Sequence, residues 1–391
     1  MGASICSILQ RIRSCRIDAL GIALGVGLLF YGASQGQMDW QKLPPLPDPH
    51  GFAGAFVGLV DEELIVLGGA NFPIAPPWEG GIKQWSRKRY RLTSPDSSWV
   101  QSDDFREEIG YGVSITTAEG MVCIGGSNAH KHRDAVFLLQ RDRSSDRTNA
   151  LEEIPLPSLP KPLANMCGVQ SGGYLYVMGG SETPDATQSS SAFLRLRWER
   201  KTLEAFATTD GSTDWRWESL PAWPGAPRML ATAAAINDTV LLAGGVALSA
   251  DAKGKPVRRY LQDAFIYSPQ RGWEQILDMP TPLAASPSPA WVQQGVLRIF
   301  GGDTGSRASL APSSDHPGFS GSEYVYDMEK RQWSVGGESP VAPVTTTTVW
   351  WRGKYIIPTG EVRPGVRTPS VWAVGKGSNP YKETPPDPGK F

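Results

Sequence analysis

Short apolar runs closed by two glycines punctuate the chain at regular intervals. They read ELIVLGG (Gly68, Gly69), MVCIGG (Gly125, Gly126), YLYVMGG (Gly179, Gly180), TVLLAGG (Gly244, Gly245) and VLRIFGG (Gly301, Gly302). Runs this short, bounded by glycine, predict buried strands rather than helices. A sixth copy, KYIIPTGE, carries Thr359 and Gly360 in the doublet positions, and the spacings are 57, 54, 65, 57 and 58 residues. A second phrase follows each doublet: a Trp or an apolar substitute, then a Leu/Met-Pro pad. Its copies begin at Trp99, Leu151, Trp217, Trp273 and Trp333.

A repeat near 50 residues with a diglycine per unit predicts an all-β chain, a kelch-type propeller whose blades have four strands each. The Trp is expected to open the outermost strand of its blade and to pack on the glycines, which would explain why no side chain is tolerated there. The sixth unit lacks its Trp phrase. DWQKLPPLP at Trp40 has the phrase but no doublet before it. The two halves imply closure: a six-bladed propeller over residues 37–376, with the last blade completed by the N-terminal strand of the mature chain, which pairs otherwise open sheet edges.

The ends of the chain read differently. Arg11, Arg13 and Arg16 precede an uncharged stretch from Ala19 to Ala33, then small residues at Gly32, Ala33, Ser34 and Gly36. Residues 1–36 therefore read as a secretory signal peptide, with an uncleaved signal-anchor over residues 17–34 as the alternative. Either way the chain is expected to be exported, periplasmic or extracellular, and to meet a membrane only through that anchor. Residues 377–391 form a Pro-rich tail.

With 38 Lys+Arg against 39 Asp+Glu the net charge is −1, which supplies no basic excess for nucleic acid. Apolar residues at 40% suffice for a large core. Cys6 and Cys15 fall in the signal; Cys123 and Cys167 sit in apolar runs and read as buried thiols, with a disulfide between neighbouring repeats as the alternative. The chain is expected to be a monomer or homodimer.

The residue after each doublet is placed to line a common mouth of the channel: Ala70, Ser127, Ser181, Val246, Asp303 and Glu361. Asp303 and Glu361 bring carboxylates there, with ordinary loop polarity as the plainer reading. Glu361 breaks the repeat and precedes VRPGVRT, so Arg363 and Arg367 share one Pro-Gly turn with it. Such a group suits binding of an anion and movement of a proton; a surface ion pair is the alternative. ANFPIAPPWEGGIKQW, with Asn71, Phe72, Trp78 and Trp85, suits stacking on a sugar face or merely covers its blade. Tyr111 either presents its hydroxyl to the channel or packs as a core aromatic. His130 and His132 form only a fragment of a metal site, so no metal and no cofactor is expected.

These phrases, above all GEVRPGVRT at Gly360–Thr368 with FAGAFVGLVDEELIVLGGANF and GYGVSITTAEGMVCIGG, resemble the bacterial N-acetylneuraminate epimerases, the sialic acid mutarotases. The likeness runs from about Trp40 to Gly375. The order of motifs is cyclically permuted relative to better-known members, since the Gly-Glu motif lies in the last blade. The resemblance implies an isomerase that interconverts the α and β anomers of a sugar acid without cofactor. It implies Glu361 and Arg367 as the catalytic pair; Arg363, Tyr111 and Asn71, together with Asp303 from its place at the mouth, are expected to bind substrate, and Arg367 or Arg363 would take the substrate's carboxylate. The loops VALSADAKGKPVRRY and DTGSRASLAPSSDHPGFSGSE have no family-like phrase, which leaves the sugar open. A non-catalytic propeller that binds a glycan or protein is the competing reading. A copper oxidase on the same fold is disfavoured by four scattered histidines.

Overall fold

The computed structural model describes residues 38–144, 150–208 and 214–376. The expected signal and the Pro-rich tail lie outside the described residues. Six four-stranded antiparallel sheets follow one another along the chain. Blade 1 runs from its inner strand outward as Phe56–Val60, Glu63–Leu67, Arg89–Leu92 and Val100–Gln101. Blades 2 to 5 repeat that order, starting at Val113, Cys167, Thr232 and Trp291.

Blade 6 is assembled from both ends. Val349–Trp351, Lys354–Pro358 and Val371–Lys376 supply three strands, and Met38–Leu43 supplies the outermost. Trp40 lies opposite Val374, and Leu43 opposite Val371. The closure read from the displaced Trp phrase is borne out.

A closed hydrogen-bonded ring lies at the centre. Each blade contributes one residue: Gly54, Tyr111, Asn165, Leu230, Ala285 and Thr345. The amide of each donates to the carbonyl of the preceding one at 2.7–2.8 Å, and Gly54 donates to Thr345 to close the circle. All six have positive φ, between 54° and 67°. This conformation is uncommon for residues other than glycine, and a repeat is needed to impose it six times. Immediately before each ring residue, the backbone bridges to a residue that follows a doublet: Ala53 to Ala70, Gly110 to Ser127, Ala164 to Ser181, Met229 to Val246, Ala284 to Asp303 and Val344 to Glu361. The predicted mouth positions thus share one structural level above the ring.

The glycines have a different reason from the one expected. A Cβ on Gly68 would lie 2.1 Å from the carbonyl oxygen of Ile109, and one on Gly179 would lie 2.3 Å from that of Arg228. The next blade's backbone, not an indole, occupies the space. The second glycine uses the same approach to donate its amide: Gly69 to Ile109, Gly180 to Arg228. The tryptophans also reach between blades. Trp99 donates its indole N–H to Pro44, Trp217 to Pro157, Trp273 to Pro221 and Trp333 to Leu277, at 2.7–3.1 Å. Each acceptor belongs to the pad of the preceding blade, so Trp and pad form an inter-blade clasp that satisfies a polar group inside an apolar seam.

One helix, Arg200–Thr208, interrupts blade 3 and accounts for its longer spacing. Cys123 and Cys167 are free and buried, as the plainer reading expected. Burial pushes the Cys167 thiol up to about 12, which keeps it protonated and unreactive. Among the described residues no helix is long and apolar enough to cross a membrane.

Candidate functional site

Glu361 opens a small hairpin, Glu361–Arg363 paired with Val366–Arg367, that rises from blade 6 at the channel mouth. Its Oε1 accepts from the Gly365 amide at 2.7 Å and from Arg367 Nη1 at 3.2 Å. The guanidinium of Arg367 lies over the Phe72 ring at 4.8 Å, and its side chain is only 6% exposed. Carboxylate and guanidinium are therefore both fixed by a tight turn and an aromatic shelf, as a preorganised site requires. The Pro-rich loop of blade 1 braces this hairpin. A Cβ on Gly365, whose φ is +85°, would lie 2.4 Å from Pro77 and 3.4 Å from the Trp78 ring. His50, Phe72, Trp78 and Arg367 line a cavity of about 230 Å³ between loop and hairpin.

Thr359 anchors the hairpin from below. It occupies the first doublet position, which is glycine in the other five units, and keeps a left-handed φ of 52° although it is β-branched. Its hydroxyl accepts from the Phe52 amide at 2.7 Å and reaches the carbonyls of Phe52 and Thr368 at 2.9 and 2.7 Å. One side chain thus ties blade 1 to the far end of the Glu361 hairpin. Left-handed backbone costs a non-glycine residue roughly 1–2 kcal/mol. Thr359→Gly is therefore expected to leave the melting temperature unchanged or raised, while amide exchange at Gly360 and Thr368 accelerates. A lowered melting temperature with unchanged exchange would show that the hydroxyl does not hold the hairpin.

Tyr111 stands beside this group. It lines the channel, and its ring fills space that Gly54 leaves free, since a Cβ there would lie 2.7 Å from it. Trp85 meets it edge-on at 5.1 Å. Burial raises the pKa of its hydroxyl; the charge of Arg367 opposes the shift and that of Glu361 adds to it. Tyr111 is thus a channel residue within the electrostatic reach of both hairpin charges.

The other predicted site residues are placed differently. Asn71 is buried, and its amide nitrogen donates to Asp48 Oδ1 at 3.2 Å and to the Gly51 carbonyl at 2.9 Å. It braces the loop before blade 1, with no donor left for a ligand. Asp303 accepts from the Tyr260 hydroxyl at 2.8 Å and the Gly305 amide at 2.9 Å. It lines a separate polar cavity of about 720 Å³ together with Arg258, Arg307 and His316, touching the hairpin only through Pro364. Arg363 donates to the Ser314 carbonyl at 2.6 Å. It fastens the hairpin to the blade 5 loop and makes no ion pair with Glu361.

The His-x-His fragment also resolves. His132 is buried between two mouth residues, with Nδ1 3.0 Å from Ser127 Oγ and Nε2 3.1 Å from Ser181 Oγ. Ser127 Oγ donates to the Asn128 carbonyl, so it accepts from His132, which assigns the proton to Nδ1 and leaves Nε2 to accept from Ser181. Among the described residues no group of three or more His, Cys, Asp or Glu is placed to hold a metal. Burial lowers the His132 pKa to about 4. Because the folded value lies below the unfolded one, its contribution to stability is complete above pH ~6.5 and is lost as the pH falls toward 4. Imidazole NMR should show His132 titrating near pH 4; a midpoint near 6.5 would contradict the buried neutral ring.

One charged neighbour of the hairpin has no signal in the repeat. Lys83 lies just before Gln84–Trp85, which pairs with Ala70–Asn71, and so is placed by blade 1's own mouth residue. Its ammonium sits over the rings of Trp85 and Tyr111, at 4.5 and 4.6 Å.

Fold and site together define a six-bladed kelch propeller with a carboxylate–guanidinium pair at its channel mouth. The chain is similar to N-acetylneuraminate epimerase 1 of Escherichia coli O6:H1 (strain CFT073), with 30% identity over 121 residues, 28% of this chain and 32% of the relative. The N-acetylneuraminate epimerase of Yersinia pestis (strain Pestoides F) is 33% identical over 121 residues, 26% of this chain and 30% of that one. That of Salmonella enteritidis PT4 is 35% identical over 108 residues, 24% and 28% respectively. The chain thus matches about a third of the length of these curated relatives. The solved structure of YjhT superposes with a TM-score of 0.59 at 16% identity, covering 84% of this chain and 96% of that one, which shows the fold. No family model matches the chain. The resemblance read from the motifs is borne out by these relatives, and so is the propeller.

Proposed function

We propose that the chain is a cofactor-independent mutarotase that interconverts the α and β anomers of N-acetylneuraminate or a related sugar acid. The observation that carries this reading is the pair of Glu361 and Arg367, fixed on one turn at the channel mouth. The relatives' names support the substrate class. A permuted order of blades would confine any collinear match to part of the chain.

The chemistry asks little. A base removes the proton from the anomeric hydroxyl as the bond between the anomeric carbon and the ring oxygen breaks. The ring oxygen takes a proton, and the open-chain ketone forms. Rotation about the exposed carbon–carbon bond presents the other face of the carbonyl, and the reverse transfers close the ring. Glu361 is the group that accepts and returns the proton, directly or through one water. Arg367 is its positioning residue: its guanidinium donates to Oε1 and holds the carboxylate in one geometry. Tyr111 lines the channel beside the pair. We further propose that the chain is exported through its first 36 residues.

The test against a purely binding propeller combines two readings on the full chain. Titration with N-acetylneuraminate should show saturable binding by both wild type and Glu361→Gln. Polarimetric relaxation of freshly released α-anomer should be accelerated by wild type alone. Equal binding with no acceleration by wild type would favour the binding module.

A further inference from the structure

Resting on the mutarotase reading, we infer that Lys83, rather than either arginine of the hairpin, is the cation that receives the substrate's carboxylate. A sugar acid stays ionised at neutral pH, and drawing its carboxylate out of water requires a charged donor. Three cations surround Glu361, and two are already engaged. Arg363 donates to the Ser314 carbonyl and is thereby directed at the blade 5 loop. Arg367 donates to Glu361 and lies on Phe72 with its side chain only 6% exposed, so it offers a ligand little accessible surface.

Lys83 is placed and unclaimed. Among the described residues it takes part in no ion pair, and it keeps solvent-exposed surface. Among the described residues its ammonium rests on two ring faces, Trp85 and Tyr111. A ring face attracts the charge of an ammonium but accepts no strong N–H···O bond, so its donors remain for an anionic oxygen. The Gln84–Trp85 and Ala70–Asn71 pairing fixes the backbone beside it, and Tyr111, on which its ammonium rests, lines the channel. The local charge agrees: Arg367 and Lys83 flank a single carboxylate, Glu361. Crowding by protein atoms, followed by the charge of Arg367, lowers the Lys83 pKa while Glu361 raises it. A bound carboxylate would relieve that imbalance.

The experiment compares N-acetylneuraminate with its methyl ester, which keeps the hydroxyls and removes the negative charge. Wild type, Lys83→Met and Lys83→Arg would be measured for anomer exchange and, separately, for binding by calorimetry. A lost charge-assisted hydrogen bond predicts roughly 10–100-fold weaker binding of the acid to Lys83→Met. KM should rise with kcat little changed, the preference for acid over ester should collapse, and Lys83→Arg should restore it. An unchanged acid-to-ester ratio in Lys83→Met, at an unchanged melting temperature, overturns the assignment. Binding is read independently of exchange. Weaker acid binding by Lys83→Met in a protein that exchanges nothing would sustain the Lys83 site and refute the mutarotase reading. A wild type that binds neither compound refutes both.

Discussion

Glu361→Gln is expected to slow enzyme-dependent anomer exchange by roughly 10²–10⁴-fold, the usual contribution of a positioned general base. Glutamine keeps the length and one carbonyl oxygen, so it can still accept from the Gly365 amide and from Arg367 as Oε1 does now. What it lacks is a basic oxygen that takes and returns a proton. The hairpin should therefore stay folded, and the loss should fall on kcat rather than on KM. Arg367→Lys separates the second role. Lysine keeps the charge but not the planar guanidinium that lies on Phe72. Its defect should be smaller than that of Glu361→Gln, and adding Arg367→Lys to Glu361→Gln should cost little more, because the two residues act as a unit. A Glu361→Gln protein with kcat within a few-fold of wild type would remove the carboxylate from the mechanism.

Deletion of residues 38–43 is expected to cost a large share of the total stability. The strand completes blade 6 through six cross-strand positions, Met38 opposite Lys376 through Leu43 opposite Val371. Without it the edge of Val371–Lys376 is unpaired and open to association with other chains. Trp40 also leaves Phe300, which it meets edge-on at 5.2 Å, so the seam between blades 5 and 6 opens. The neighbouring clasp, Trp99 on Pro44, loses the strand that positions it. Domains have only about 5–15 kcal/mol to lose, and a buried Leu with a half-buried Trp accounts for several of these. The deleted chain should melt far lower or aggregate, and Trp40→Ala alone should lower stability by about 2 kcal/mol. Equal melting temperatures for the deleted and intact chains would mean that the ring does not depend on this clasp.

The blade count and the closure were legible because both are written in a period. A diglycine marks the place where a neighbouring backbone comes too close for a side chain, and a Trp marks where an indole must reach the preceding pad. Even so, the physical reason for the glycines was misread, since packing between blades has no signature within one repeat. Glu361 was legible because its unit departs from the pattern at Thr359. The partners were less so. Asn71 and Arg363 have the right chemistry in the right loops, yet the Asn71 amide nitrogen is occupied by Gly51 and Asp48, and Arg363 is directed to the Ser314 carbonyl, all in other loops. Lys83 sits in a loop with no repeat phase, and only the pairing of Ala70 with Trp85 carries it to Tyr111. His130 and His132, two apart in the sequence, make only a fragment of a metal site. The fold separates them, leaving one exposed and the other between two serines of different blades.

The most direct test of the account is a proton NMR time course of α-N-acetylneuraminate, released by a sialidase at mildly acidic pH where spontaneous anomerisation is slow, with the full chain added in catalytic amount. With a mutarotase present the α signals decay to the unchanged equilibrium ratio much faster than in buffer, and at the buffer rate with Glu361→Gln. Decay at the buffer rate with wild-type chain that binds the sugar would contradict it.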